Sequence, residues 1–272
     1  MKLKGKVAII TGATAGIGKS IAYLFAEEGA STILIARRKE RLEQITNEIN
    51  SNGGDASACI GDVTKQEDID NVVKLALDKY GKIDIIVNNA GIMDDFVSVK
   101  HIDDDLWDKT IDVNLTGPMR LIRAVIPEMI KNNGGNIITI SSVGGLIGKI
   151  SGAAYTASKH GVIGLAKHTA WVYGKHNIRS NVIAPGTVNT EIATTINPGR
   201  MDMETYETID PFVKLSPKLG QSKEIAQIAL FLASDDSSFV NGDVIKADGG
   251  WLSWSSHTFF LENNILKIDI MT

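Results

Sequence analysis

Short apolar runs rich in β-branched residues alternate with longer amphipathic stretches through most of this 272-residue chain. Val7-Ala-Ile-Ile-Thr11 reads as a buried strand, followed by a helix over Ile17 to Glu28 that ends at Gly29. Thr32 to Ile35 is the next strand, and Glu40 to Ile49 a helix closed by Asn52-Gly-Gly54. Ala56 to Ile60 and Ile83 to Val87 read as strands on either side of a helix over Gln66 to Tyr80. Asp104 to Lys131 is a long helical region with Pro118 and Pro127 as candidate breaks. Ile137 to Ile140, Ala153 to His176 and Arg179 to Ala184 repeat the strand-helix-strand unit. Glu224 to Ser234 is a further helix, and Val244 to Ala247 a last strand. Strands that are apolar on both faces need helices on both sides of the sheet. The expected fold is therefore α/β, a single doubly wound, Rossmann-like domain with a parallel sheet, which we place at residues 1–254. The one long irregular segment, Gly186 to Gly220, is long enough to be functional, and a substrate lid is expected at about 190–220.

With 43% hydrophobic residues, the chain can bury one sizeable core. The net charge is -4, and no clustered basic face of the kind nucleic acid requires is evident, so a nucleic-acid partner is not expected. No apolar run approaches the ~20 residues that span a bilayer, so no membrane partner is expected either. Val7 to Ile10 is too short for a signal-peptide core. The single cysteine, Cys59, cannot form an intrachain disulfide and reads as a small core residue. A reduced, cytoplasmic setting is the expectation.

The first strand runs into Thr11-Gly12-Ala13-Thr14-Ala15-Gly16-Ile17-Gly18, at the turn into the first helix. Glycines there let a backbone approach a pyrophosphate, which rests at the positive end of the helix. A tight strand-helix turn is the alternative. The second strand ends at Ala36-Arg37-Arg38, where an acidic residue would accept bonds from ribose hydroxyls. A carboxylate is missing and guanidinium groups are present, which favours NADP(H), with NAD(H) as the other choice. Tyr155 and Lys159 lie four apart in a helical stretch and so share one face. A cation beside a phenol favours phenolate, which suits the pair to proton exchange.

Taken together, the chain resembles the short-chain dehydrogenase/reductase family from about Lys6 to Trp251. The matching motifs are Thr11-Gly-x-x-x-Gly-Ile-Gly18, Asp62-Val63, Asn88-Asn-Ala-Gly91, Asn114, Ser141-Ser142, Tyr155-x-x-x-Lys159 and Pro185-Gly186. The resemblance implies a catalytic set of Asn114, Ser142, Tyr155 and Lys159. It implies that Gly12, Thr14, Gly16, Ile17, Gly18, Arg37 and Arg38 hold the phosphate side of the cofactor, and that Asp62 and Val63 hold the adenine. Asn88, Ala90 and Gly91 would pack along the cofactor. Pro185, Gly186, Val188 and Thr190 would embrace the nicotinamide. Ser142 and Tyr155 would bind the substrate carbonyl, with Met93, Leu146, Gly186 and Ile192 at the mouth. Lys159 would lower the Tyr155 pKa and grip the nicotinamide ribose. Asn114 would hold a water linking Lys159 to solvent, and Ser141 would point away.

The expected activity is interconversion of a ketone and a secondary alcohol by an NADP(H)-dependent carbonyl reductase. One alternative is reduction of a 3-oxoacyl thioester on acyl carrier protein, for which Arg120, Arg123 and Arg179 could form a docking patch. The other is a non-enzymatic NADP(H) sensor or scaffold. Apolar lid residues, among them Ile192, Ile196, Met201, Tyr206, Phe212 and Leu215, point to a largely hydrophobic small-molecule substrate. The resemblance implies a homotetramer. No metal site is expected: His160, His168 and His176 recur every eight residues and do not converge. Asp94-Asp95 and Asp103 to Asp105 read as solvated loop charges. Residues 255–272 extend past the family's usual end, and Leu266, Ile268 and Ile270 alternate as in a strand. This tail is expected either to lie across a neighbouring subunit or to be a disordered appendage.

Overall fold

The computed structural model describes residues 1–253 and the backbone of 259–262 and 265–268. Seven strands form one parallel sheet: β1 (Val7–Thr11), β2 (Ser31–Ala36), β3 (Asp55–Ile60), β4 (Ile85–Asn88), β5 (Gly135–Ile140), β6 (Ile178–Pro185) and β9 (Val244–Ala247). Their order is β3-β2-β1-β4-β5-β6-β9. The order reverses between β1 and β4, and that switch opens a crevice at the carboxyl ends of the strands. Two short ribbons lie outside the sheet, β7 (Val188–Asn189) with β8 (Gly220–Gln221), and β10 (Phe259–Glu262) with β11 (Ile265–Ile268).

Helices cover both faces, as the two-sided apolar strands demand. On one face α1 (Gly16–Glu27), α2 (Lys39–Ser51) and α8 (Ser222–Ala233) bury Ile21, Phe25, Leu42, Ala229 and Leu232 against Ile10, Leu34 and Val87. On the other, α3 (Gln66–Tyr80) and α5 (Gly117–Lys131) pack Ile69, Val72, Leu121 and Val125 against Ile9, Ile33 and Ile86. α4 (Asp104–Ile111) and α6 (Ala153–Tyr173) lie against each other.

The long helical region departs from a plain α-helix at Asp112–Thr116, which forms one wide π turn ahead of Pro118. Pro118 follows, at the second residue of α5 within this continuous helical run. Pro127 lies inside α5 and does not end it. The expected irregular segment holds a helix of its own, α7 (Met203–Val213), whose start is capped by the Asp202 carboxylate accepting from Thr205 N. Only the ribbon β10–β11 of the tail is described; the expectation that the tail covers a neighbour falls outside the described residues. Among those residues, no helix is long and apolar enough to cross a membrane.

Candidate active site

At the carboxyl end of β1 the chain turns through Gly12 and Gly16, both in left-handed backbone at φ 66° and 51°. The turn is pressed against the end of β4: a Cβ on Gly12 would fall 2.9 Å from both Ala90 Cα and Asn89 Nδ2. Gly18 is tighter still, with Gly12 O 2.5 Å from where its Cβ would be. Asn89 makes this packing specific. Its Nδ2 donates to Thr11 O at 2.9 Å and Gly12 O at 3.2 Å. Thr11 Oγ1 accepts from Asn89 N at 2.9 Å and Ala90 N at 3.0 Å. Sequence reasoning assigned a role to Asn88, whose buried Nδ2 has no partner, and passed over its neighbour Asn89. The start of α1 carries neither a side-chain cap nor an acidic residue. Its first N–H groups are thus left for an anion, which fits a dinucleotide pyrophosphate.

At the end of β2, Arg38 donates from Nε and Nη2 to Thr14 Oγ1 at 3.1 and 2.9 Å. Its Nη1 donates to Glu191 Oε2 at 3.0 Å, and Arg41 Nη1 reaches the same oxygen at 2.8 Å. Arg37 lies 3.6 Å from Asp62 and is more exposed. The Arg41–Glu191 contact, which joins α2 to the segment after β7, had no counterpart in the sequence reading.

Tyr155 and Lys159 project from the first turns of α6 and are buried, at 6% and 3% exposure. Lys159 Nζ donates to Ile140 O at 3.0 Å and lies 5.5 Å from the Tyr155 ring centre. Ser141 Oγ donates to Lys159 O at 2.8 Å and so turns away from the cavity chemistry. Ser142 Oγ accepts from Gly144 N at 3.0 Å, capping a short 3-10 turn at Val143–Gly145. Asn114 sits in the π turn and is 1% exposed. Its Oδ1 accepts from Ile92 N, and its Nδ2 donates to Ile92 O and to Ser158 Oγ. Ser158 Oγ in turn donates to Tyr155 O at 2.8 Å.

Burial dominates the electrostatics. It pushes the Tyr155 phenol up to about 12; the Ser142 hydroxyl acts in the opposite sense, and Asp94 adds to the rise. Burial also lowers Lys159 to about 8. Burial outweighs these contributions at the phenol, and Lys159, at about 8, still carries its positive charge at neutral pH.

Ser142, Tyr155 and Lys159 line one cavity, together with Gly12, Thr14, Gly16, Ile17, Arg37, Arg38, Asp62, Val63, Ala90, Gly91, Pro185, Gly186, Val188, Thr190 and Ile192. Asn89, Ile92, Thr194 and Thr195 line it too. Gly18, Asn88 and Asn114 stand behind this wall as supports. Met93 and Leu146 do not line it. Leu146 packs on the cluster of Ile163, Ala166 and Val182, because the 3-10 turn aims it at α6 and the sheet. Met93 is half-buried outside the lining, and its N–H donates to Thr195 Oγ1 at 3.0 Å. Within 190–220, Phe212 and Leu215 pack on Val143, Ile150 and Trp251, leaving the residues from Thr190 to Thr195 to face the cavity. Asp94 and Asp95 are corrections: both are buried, because their carboxylates accept backbone N–H groups from distant segments. Among the described residues no cluster of His, Cys, Asp and Glu could hold a metal ion.

A doubly wound parallel sheet, a glycine turn into α1 and one cavity at the switch point define a nucleotide-binding α/β oxidoreductase. The chain belongs to the short chain dehydrogenase family, whose sequence profile matches residues 6–201. It is 41% identical over 250 residues to the 3-oxoacyl-[acyl-carrier-protein] reductase FabG of Thermotoga maritima, covering 92% of this chain and 99% of that one. It is 38% identical over 254 residues to 3beta-hydroxysteroid dehydrogenase 2 of Eggerthella lenta, covering 93% of this chain and 96% of that one. The crystal structure of gox2181 superposes with a TM-score of 0.83 at 32% identity, covering 93% of this chain and 98% of that chain.

Proposed function

We propose that this protein is an NADP(H)-dependent carbonyl reductase that interconverts a ketone and a secondary alcohol, with Tyr155 as general acid and base. The observation that carries this reading is the convergence of Tyr155, Ser142 and Lys159 on the cavity that begins at the Gly12–Gly16 turn. The dinucleotide supplies or accepts the hydride when bound. Ser142 and Tyr155 hold the substrate oxygen, where negative charge grows as hydride arrives. Tyr155 gives its proton in reduction and takes one in oxidation. Lys159, anchored on Ile140 O, grips the nicotinamide ribose, and Asn114 holds the loop at Ile92 in place. Gly12, Gly16 and the uncapped start of α1 receive the pyrophosphate. Arg38, with Thr14 and Arg37, receives a 2'-phosphate, and Asp62 and Val63 face the adenine.

The segment from about 190 to 220 acts as a lid, and its Ile192, together with Ile92, presents an apolar surface to a largely hydrophobic substrate. The exposed Trp171 and Phe239 support assembly into a homotetramer, in part through α5 and α6. Reduction of a 3-oxoacyl thioester is the second reading, favoured by the 41% relative from Thermotoga maritima. The docking patch it needs is reduced here. Arg179 donates to the carbonyls of Leu232, Ser234 and Val240, and Arg120 is paired with Asp112. One screen of ketones, hydroxysteroids, sugars and acetoacetyl thioesters with NADPH and NADH separates the readings. Turnover of lipophilic ketones ahead of acetoacetyl thioesters supports the first, and the reverse order supports the second. NADPH binding with no turnover of any of them would favour a sensor.

A further inference from the structure

The loop after β4 carries two adjacent carboxylates, Asp94 and Asp95, at 0% and 3% exposure, and the chemistry above uses neither. They face opposite ways. Asp94 Oδ2 accepts from Tyr155 N at 2.7 Å, and its Oδ1 accepts from Gly152 N at 3.2 Å. The N–H groups of Phe96 and of Asp94 itself also act on this carboxylate. Both oxygens thus accept from backbone donors at the start of α6, where the helix dipole favours a negative charge. Gly152 fits that arrangement: a Cβ there would fall 2.5 Å from Asp94 Oδ2. Asp95 Oδ1 accepts from Asn197 N at 2.7 Å, in the segment that follows the cavity-lining residues Thr190 to Thr195. The backbone between these contacts is left-handed at two successive non-glycine residues, Asp95 at φ 57° and Phe96 at φ 55°. Such a conformation persists only where its surroundings fix it. Here the two carboxylates and the edge-on packing of Phe96 against Tyr206 do so.

We propose that Asp94 is a positioning residue for Tyr155: its carboxylate fixes the first turn of α6 against the loop after β4 and holds a buried negative charge at the Tyr155 backbone N–H. This rests on the reading of Tyr155 as the acid and base. Charged or polar groups from three elements act on the phenol. They are Lys159 from α6, Ser142 from the segment after β5 and Asp94 from the loop after β4. Asp94 opposes loss of the Tyr155 proton, so it keeps the phenol in the form that donates to a ketone. Burial pushes the Asp94 carboxyl up, while its backbone donors pull it down.

The test is Asp94→Asn, assayed as holoenzyme with NADPH and cyclohexanone and with NADP+ and cyclohexanol across pH. Asn keeps the size and one acceptor oxygen but removes the charge. The predicted result is that both pH midpoints move down by about half a unit or more, the size expected for one nearby charge. We also expect kcat to fall about tenfold from the loosened helix start, with the Kd for NADPH unchanged. Midpoints that stay in place, even alongside lower stability and lower kcat, would make Asp94 an ordinary helix cap and overturn the proposal. Should Asp94→Asn fail to fold, Gly152→Ala displaces the carboxylate without changing any charge. Loss of kcat with a moved midpoint is expected, and an unchanged profile would refute the idea. If the intact protein turns over neither cyclohexanone nor cyclohexanol, the lipophilic-ketone reading fails on its own. The charge effect is then read from the 13Cζ-tyrosine resonance of the NADPH complex, with Tyr155→Phe identifying the signal. A titration at lower pH in Asp94→Asn supports the proposal, and an identical titration contradicts it.

Discussion

Asn114 and Ile92 exchange two hydrogen bonds, each 2.9 Å long: Ile92 N donates to Asn114 Oδ1, and Asn114 Nδ2 donates to Ile92 O. The π turn at Asp112–Thr116 carries this side chain, and such single wide turns are frequent at functional sites. Asn114→Ala leaves the N–H and C=O of a buried residue without partners. A stability loss of about 2–3 kcal/mol is expected in urea unfolding. Turnover should fall as well, because the cavity wall at Ile92 and Gly91 loses its support.

Gly12→Ala tests the glycine turn. Gly12 is left-handed, and a methyl there runs into the backbone of Ala90. Strain of this kind costs about 1–3 kcal/mol. NADPH binding, followed by quenching of protein fluorescence, should weaken at least about tenfold. A variant that binds NADPH normally would show that the turn does not carry the pyrophosphate.

Cofactor choice is predicted to follow Arg38 more than Arg37, because Arg38 is fixed on Thr14 while Arg37 stands further out beside Asp62. NADPH should exceed NADH in kcat/KM. Arg38→Ala should raise the KM for NADPH about tenfold or more, the scale of a charge-assisted contact, and leave NADH nearly unchanged. Arg37→Ala should act in the same direction and by less. Preference for NADH in the unmodified protein would contradict this assignment.

Lys159 and Tyr155 give the cofactor-free protein an unusual alkaline profile. The Lys159 ammonium falls from 10.5 to about 8 on folding, so between those values the unfolded chain binds more protons. Stability therefore rises as pH climbs from about 8. The Tyr155 phenol rises from 10.0 to about 12, so above pH 10 the folded protein holds a proton that the unfolded chain has lost, and stability falls again. Lys159→Met should remove the first rise and stabilise the protein at pH 7 by about 2 kcal/mol, while abolishing turnover. Urea titrations at pH 7 and 9 measure both effects. A loss of stability at pH 7 in Lys159→Met would show that the bond to Ile140 outweighs the burial of charge.

The parts of the fold that rest on local pattern were legible in the sequence. Val7 to Thr11, Gln66 to Tyr80 and Val244 to Ala247 appear as read, because continuous apolar runs and an amphipathic repeat leave one solution each. α7 was hidden by Pro198, Gly199, Pro211 and Pro217; the available signal was Asp202, three residues ahead of Thr205, as a cap. Tyr155, Lys159, Ser142 and the glycine turn were legible because their spacing is chemical. Asp94 and Asp95 were not, since adjacent carboxylates in a loop ordinarily face water. Their burial depends on Gly152, Tyr155 and Asn197, which are distant in sequence. The packing of Leu146 was not legible for a related reason: its direction is set by the turn that Ser142 caps, and no periodicity reports that.

The central claim is that Tyr155 moves the proton. Tyr155→Phe removes one oxygen and leaves the ring, the helix and the Asp94 contact to the backbone in place. The decisive measurement is kcat for this variant, with NADPH and the best ketone of the screen, beside the Kd for NADPH. The account predicts an unchanged Kd and a loss of at least ~100-fold in kcat, the scale of a general acid. A kcat near that of the unmodified protein would contradict it.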